Sequence, residues 1–154
     1  MDGSGGHGAG HIAETPFSDS YLSCLLSRAA HQISSEFRQV VTDAGLRVPV
    51  WSVLACLWDR DGMGVTELAC RTIFEQSRLT KMLDGMEDDG LVRRETEPAD
   101  RRRVRVQITE KGRAVVAPLI ERARQHEALV LADYAPEEIA ALQSALRKMA
   151  TSRS

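Results

Sequence analysis

The sequence predicts a mainly helical protein of the α+β class, with two short helices and one β-hairpin set between long terminal helices. Three observations predict it. Apolar residues recur at three- and four-residue steps through most of the chain, the period of helices with one buried face. From Arg103 the pattern changes: Val104, Val106 and Ile108 fall on one side and Arg103, Arg105 and Gln107 on the other, as in a half-buried strand. Pro98-Ala99-Asp100 supplies a turn before that strand, and the residues after Leu91 supply its partner.

Taken in order, the glycine-rich residues 1–16 are expected to form a disordered tail. A long helix follows, with Leu22, Leu25, Leu26, Ala29, Ile33, Phe37, Val40 and Val41 on one face, Ser18 or Asp19 as its cap and Gly45 as its end. Pro49 opens a second helix whose expected apolar positions are Trp51, Leu54, Ala55 and Trp58, and Asp61-Gly62 breaks it. A short helix begins at Val65-Thr66-Glu67-Leu68-Ala69. Another spans roughly Glu75 to Asp89, with Leu79, Met82, Leu83 and Met86 on one face, Ser77, Thr80, Lys81 and Asp84 on the other, and Gly90 at its end. After the hairpin, a helix runs from Glu110 toward Ala132, about 34 Å at the standard rise, and Pro118 inside it predicts a kink. Ala135-Pro136-Glu137-Glu138 starts the last helix, in which Ile139, Leu142, Leu146 and Met149 keep the spacing.

A chain of 154 residues suits one domain, or a small domain with an oligomerisation element. No apolar run approaches the ~20 residues of a membrane helix, and the N-terminus lacks the basic start and apolar core of a signal peptide, so a cytoplasmic protein with no membrane partner is expected. Cys24, Cys56 and Cys70 form no CxxC pair and sit among apolar neighbours, which favours buried free thiols over a metal or disulfide framework. His7 and His11 lie on the glycine-rich segment and make a poor metal site. With no phosphate loop, nucleophile elbow or metal-ligand spacing, neither an enzyme nor a cofactor is expected.

Charge is the informative property. Arg93 to Arg113 holds eight basic and four acidic residues, +4, in a chain whose net charge is −2, so the remainder carries −6. Two short helices followed by an arginine-tipped hairpin describe a winged helix-turn-helix. The helix from Glu75 would enter a DNA major groove and the hairpin would lie along the backbone or in the minor groove. The candidate contacts are Thr66, Gln76, Ser77, Arg78, Thr80 and Lys81 on the helices and Arg101, Arg102 and Arg103 on the wing, while Arg93 and Arg94 read as structural or peripheral.

Asp100-Arg101-Arg102-Arg103-Val104-Arg105-Val106-Gln107-Ile108-Thr109-Glu110-Lys111-Gly112 resembles the D-x-R wing and V-x-L-T-x-x-G strand end of the multiple-antibiotic-resistance regulator (MarR) family. Leu68-Ala69, Ser77-Arg78-Leu79-Thr80-Lys81-Met82-Leu83 and Gly90-Leu91-Val92-Arg93-Arg94 are similar too, so the resemblance runs from about Ser20 to the C-terminus. It departs at Gly85, which interrupts the reading helix, and at Ile108, where leucine is usual. The resemblance implies a bacterial transcriptional regulator, a homodimer reading a palindromic operator, and an Asp100 that orients an arginine. The apolar terminal helices agree with a dimer. The implied organisation is a dimerisation helix over residues 17–48, a DNA-binding lobe over 49–108 and C-terminal dimerisation helices over 109–154.

The resemblance also implies a small, often aromatic, effector between the dimer region and the DNA-binding lobe, and an aromatic acid or its thioester is the expected class. His31, Arg38, Trp51 and Trp58 are the candidate ligand contacts, although the spacing fits the tryptophans better to a core and His31 better to a satisfied or exposed position. Two alternatives stay open. Some relatives sense peroxide through a cysteine near the start of the first helix, and Cys24 lies close to that place near Tyr21; its register is one residue off, and Phe37 stands where a tyrosine would help. A winged helix used for protein contact is the other, and three consecutive wing arginines argue against it.

Overall fold

The computed structural model describes residues 16–97 and 100–151, with Arg101 and Arg102 described in backbone only. The chain divides into two units, Met1–Ser35 and Glu36–Ser154. The expected tail, including His7 and His11, therefore lies outside the described residues except for Pro16.

The first unit holds α1 (Phe17–Ser20) and the start of α2 (Leu22–Asp43). The single helix expected from Pro16 to Gly45 is thus corrected: Tyr21 has an extended backbone, φ −74° and ψ 118°, and separates the two. Local bonds favour the break. The Ser20 hydroxyl donates to the Phe17 carbonyl at 3.3 Å, and the Phe17 and Tyr21 rings stack with centroids 4.8 Å apart. Asp19 caps nothing and instead pairs with Arg28 at 3.0 Å. Gly45, at φ +76°, ends α2 as expected.

In the second unit, α3 (Val48–Asp59) buries Val50, Val53, Leu54 and Leu57. The expected face of Trp51, Leu54, Ala55 and Trp58 is corrected: both tryptophans are half-buried at its flank. α3 is apolar almost all round, so periodicity does not single out its inner face. Gly62, at φ +72°, then turns the chain into β1 (Met63–Gly64), a strand too short to leave a periodic signal. Next come α4 (Val65–Thr72), α5 (Gln76–Asp88), β2 (Val92–Glu97) and β3 (Asp100–Ile108). The sheet order is β1-β3-β2, all antiparallel, with Met63 opposite Val106 and Val92 opposite Ile108. The alternation in β3 holds, since Val106 and Ile108 are buried and Arg103 and Arg105 exposed.

α6 (Glu110–Val130) and α7 (Pro136–Thr151) complete the chain. Pro118 lies within one continuous α6. Its missing N–H leaves only the carbonyl of the exposed Ala114 without a helical partner, which water can satisfy. Gly85 likewise does not interrupt α5, and a Cβ there would meet nothing within 4 Å. The core joins α3, α4, α5, the sheet and α6 through Val53, Leu57, Leu68, Leu83, Val106 and Val116. The expected burial of all three thiols is corrected, because Cys24 and Cys56 are only partly buried and Cys70 is exposed.

Two nodes lock this core. Asp61 accepts the N–H groups of Gly62 and Ile108, each at 2.9 Å, and pairs with Arg113 at 3.0 Å, joining the end of α3 to β3 and α6. Thr109 caps α6: its Oγ1 accepts from the Gly112 N–H at 3.0 Å and donates to the Gly90 carbonyl at 2.7 Å. Gly112 itself lies against the Leu91 carbonyl, and a Cβ there would overlap that oxygen and crowd Ile108 at 2.9 Å. Gly112→Ala is therefore expected to destabilise the fold by about 1–3 kcal/mol, toward the upper end because the opposing atom is backbone. Urea unfolding at fixed protein concentration checks this, and an unchanged midpoint would refute the close approach.

Candidate nucleic-acid interface

The candidate reading surface begins with α5. Leu79, Leu83 and Met86 are buried and Met82 partly so, which turns Gln76, Ser77, Arg78, Thr80, Lys81 and Asp84 outward as the spacing predicts. α4 packs against α5, and Thr66 is exposed in its first turn. A groove of about 540 Å³ between these helices and β3 is lined by Thr66, Gln76, Thr80, Arg94, Arg103 and Arg105, among others. The structure thus brings Thr66, Gln76, Thr80 and Arg103 to one concavity, with Ser77, Arg78 and Lys81 on the same exposed helical end. The side chains of Arg101 and Arg102 lie outside the described residues.

The turn that presents α5 has an unusual backbone. α4 ends at Ile73 in the left-handed region, φ 58° and ψ 33°, while the N–H groups of Ile73 and Phe74 both reach the Ala69 carbonyl. Phe74 packs on the core, and the Arg78 guanidinium lies 5.2 Å from its ring centroid.

Ion pairs sort the wing's charges. Arg94 pairs with Glu87 and Asp84, each at 2.7 Å, and ties β2 to α5. Arg93 pairs with Glu95 at 3.1 Å and bonds Gln107 at 2.8 Å. Arg105 reaches Glu97 at 3.4 Å and the Gly62 carbonyl at 3.0 Å. Arg103 pairs with Asp100 at 3.5 Å while its side chain stays 70 % exposed. The pairs with Glu95, Glu97 and Asp100 use carboxylates already subtracted in the +4, whereas Glu87 and Asp84 on Arg94 and Asp61 on Arg113 bring further negative charge from outside the segment. Arg78 and Lys81 have no ion-pair partner among the described residues, so they put less-compensated charge at the start of α5.

The candidate effector residues are distributed differently. His31 is exposed in the first unit, and Arg38 is exposed in the second. Trp51 meets Phe37 at a centroid distance of 5.4 Å, and Phe37 meets His126 at 5.7 Å. His126 in turn lies 3.1 Å from Glu36. Trp58 instead faces Arg113, at 5.7 Å from guanidinium to ring. Phe37 and His126 are absent from the ligand contacts the sequence nominates: Phe37 reads as an apolar position of the first helix and as the place where a tyrosine would help Cys24, and His126 carries no local signal. Cys24 is half-buried, and burial pushes the Cys56 thiol up. Among the described residues no group of three His, Cys, Asp or Glu side chains is arranged to hold a metal, and no single helix is long and apolar enough to cross a membrane.

The MarR family model matches residues 46–104. The transcriptional regulator HosA of Escherichia coli O111:H- is 30% identical over 130 residues, covering 81% of this chain and 96% of HosA. The chain belongs to the MarR family of transcriptional regulators. A 97-residue stretch is 33% identical to the regulator TtmR of Methylorubrum extorquens, and spans only 50% of that relative. Among solved structures, the MarR-family regulator SPO1453 from Silicibacter pomeroyi matches with 39% identity and a TM-score of 0.77, over 88% of this chain and 96% of that one. The repressor CouR bound to a 23-mer DNA duplex matches with 29% identity and a TM-score of 0.73, over 88% and 96% respectively.

The helix-to-wing tie has a pH signature. The Arg94 backbone N–H, its guanidinium next, bonds Glu87 and holds that carboxyl below its ordinary value of 4.5. A carboxyl lowered in the folded state adds stability above its unfolded value and loses that stability as pH falls through the folded one. Glu87→Gln should therefore be less stable than the parent near pH 7, and the gap should close as pH drops below 4.5. Unfolding titrations across the acid range check this, and a gap independent of pH would sink it.

Proposed function

We propose that this MarR-family regulator is a homodimeric repressor that binds a palindromic operator and is released by a small aromatic acid. The observation carrying the DNA reading is the exposed, polar N-terminal end of α5 beside the wing strand, with Arg78 and Lys81 lacking carboxylate partners among the described residues. In this reading Gln76, Ser77, Arg78, Thr80 and Lys81 meet base edges and nearby phosphates, Thr66 meets the backbone, and Arg101, Arg102 and Arg103 follow the wing. Residues 49–108 form the DNA-binding lobe, and residues 17–48 and 109–154 the dimerisation segments. Unpartnered apolar surface supports the dimer: Leu142, Leu146 and Met149 on α7 are 49%, 40% and 47% exposed, and Leu22, Leu25 and Ile33 on α2 are exposed as well.

The effector reading rests on the Phe37–Trp51–His126 aromatic group, and the exposed Arg38 is the proposed carboxylate partner. Bordetella bronchiseptica BpsR, 27% identical over 92% of this chain with a TM-score of 0.72, has its DNA binding regulated by 6-hydroxynicotinic acid. An aromatic carboxylate would act by favouring a dimer whose two α5 helices no longer match the half-site spacing.

Titrating variants on operator and random DNA at several salt concentrations tests the DNA reading. Arg78→Ala should cost about 1–3 kcal/mol on the operator and less on random DNA. Arg102→Ala should weaken both and remove about one unit of the log-log salt slope. If neither variant changes affinity, this surface is not the DNA contact. Light scattering at micromolar concentration should show a dimer and, for Leu142→Glu/Leu146→Glu, a monomer; a monomeric parent protein would overturn the assembly. A ligand that binds tightly yet leaves operator affinity unchanged would count against the release mechanism.

A further inference from the structure

Ile73 is the one non-glycine residue with positive φ among the described residues, at φ 58°, and its side chain is 91% exposed. A β-branched residue is disfavoured in that conformation, which glycine adopts freely. The helix-ending bonds to the Ala69 carbonyl require only the backbone shape, so glycine would serve the turn better. The isoleucine does not serve the core either, because the neighbouring Phe74 fills that role. Strain and exposed apolar area thus fall together on one residue, between α4 and α5 and three positions before Gln76. Strain retained at such a position points to a role for the side chain.

We propose that Ile73 is a specificity-determining residue that packs against a thymine C5-methyl group in the major groove. The inference rests on the reading of α5 as the groove-entering helix. The groove edge presents hydrogen-bond donors and acceptors at every base pair, and its apolar feature is the thymine methyl. Gln76, Ser77 and Arg78 read the former through their polar ends, and Ile73 offers the latter a larger apolar surface than the Thr80 methyl does. Ile73 stands one turn before them, and the Arg78 guanidinium over the Phe74 ring braces the turn that carries it.

The test uses the full-length protein and an operator selected from a random DNA pool. Parent and Ile73→Gly are titrated on that operator and on versions in which single thymines are replaced by deoxyuridine, which lacks the methyl group. The parent should lose roughly three- to tenfold in affinity at one thymine in each half-site. Ile73→Gly should show that loss on the natural operator, be indifferent to deoxyuridine at the same place, and keep the parent's salt slope. Its melting temperature should equal or exceed the parent's, since glycine relieves the backbone. Ile73→Asn, which tolerates the left-handed conformation but lacks the apolar side chain, should behave like Ile73→Gly. A parent indifferent to every deoxyuridine, or an Ile73→Gly that binds the natural operator as well as the parent does, overturns the proposal. If Ile73→Gly instead changes the assembly state by light scattering, Ile73 is a protein contact. A parent that selects no DNA from the pool refutes the DNA reading itself, a result separable from failure at Ile73 alone.

Discussion

The start of α6 rests on the Leu91 carbonyl, and the geometry of the winged-helix lobe depends on that contact. Only a residue without Cβ fits at Gly112, and Thr109 holds the same junction by capping α6 and bonding Gly90. The junction sets where β2 begins relative to where β3 ends, and so sets the register of the hairpin. From there Arg94 carries the constraint to α5 through Glu87 and Asp84, while Asp61 carries it to α3. Helix and wing are thereby tied into one candidate reading head, whose preorganisation would lower the ordering cost of the proposed DNA binding.

The electrostatics of that head differ from a simple basic patch. Hairpin arginines paired with their own carboxylates lend shape more than net charge, and at these exposures each pair adds little stability by itself. In the proposed DNA complex, carboxylates beside a polyanion would add a repulsion that favours a well-fitted duplex over indiscriminate adhesion.

What was legible in the sequence follows from what leaves a periodic trace. The outward face of α5 and the alternation in β3 were readable because each element buries one side. The Thr109-to-Gly112 motif was visible as a pattern, but its reason, a cap plus a backbone approach, needed coordinates. β1 has two residues and no period, and α3 is too uniformly apolar to declare an inner face. The break at Tyr21 and the ion pairs of the wing depend on side chains meeting across space. Ile73 was unreadable for the opposite reason: propensity argues against the conformation it adopts.

The length of α6 has a mechanical consequence. It is a 21-residue rod, about 32 Å from end to end, clamped at its N-terminus by Thr109, Gly112 and Arg113. On such a rod a tilt of about 5° at the clamp corresponds to a displacement of about 3 Å at the far end. His126 lies about 24 Å along that rod, so the same tilt corresponds to a displacement of about 2 Å there, a purely geometric relation between the Phe37–His126 contact and the end of α6 on which the wing is mounted.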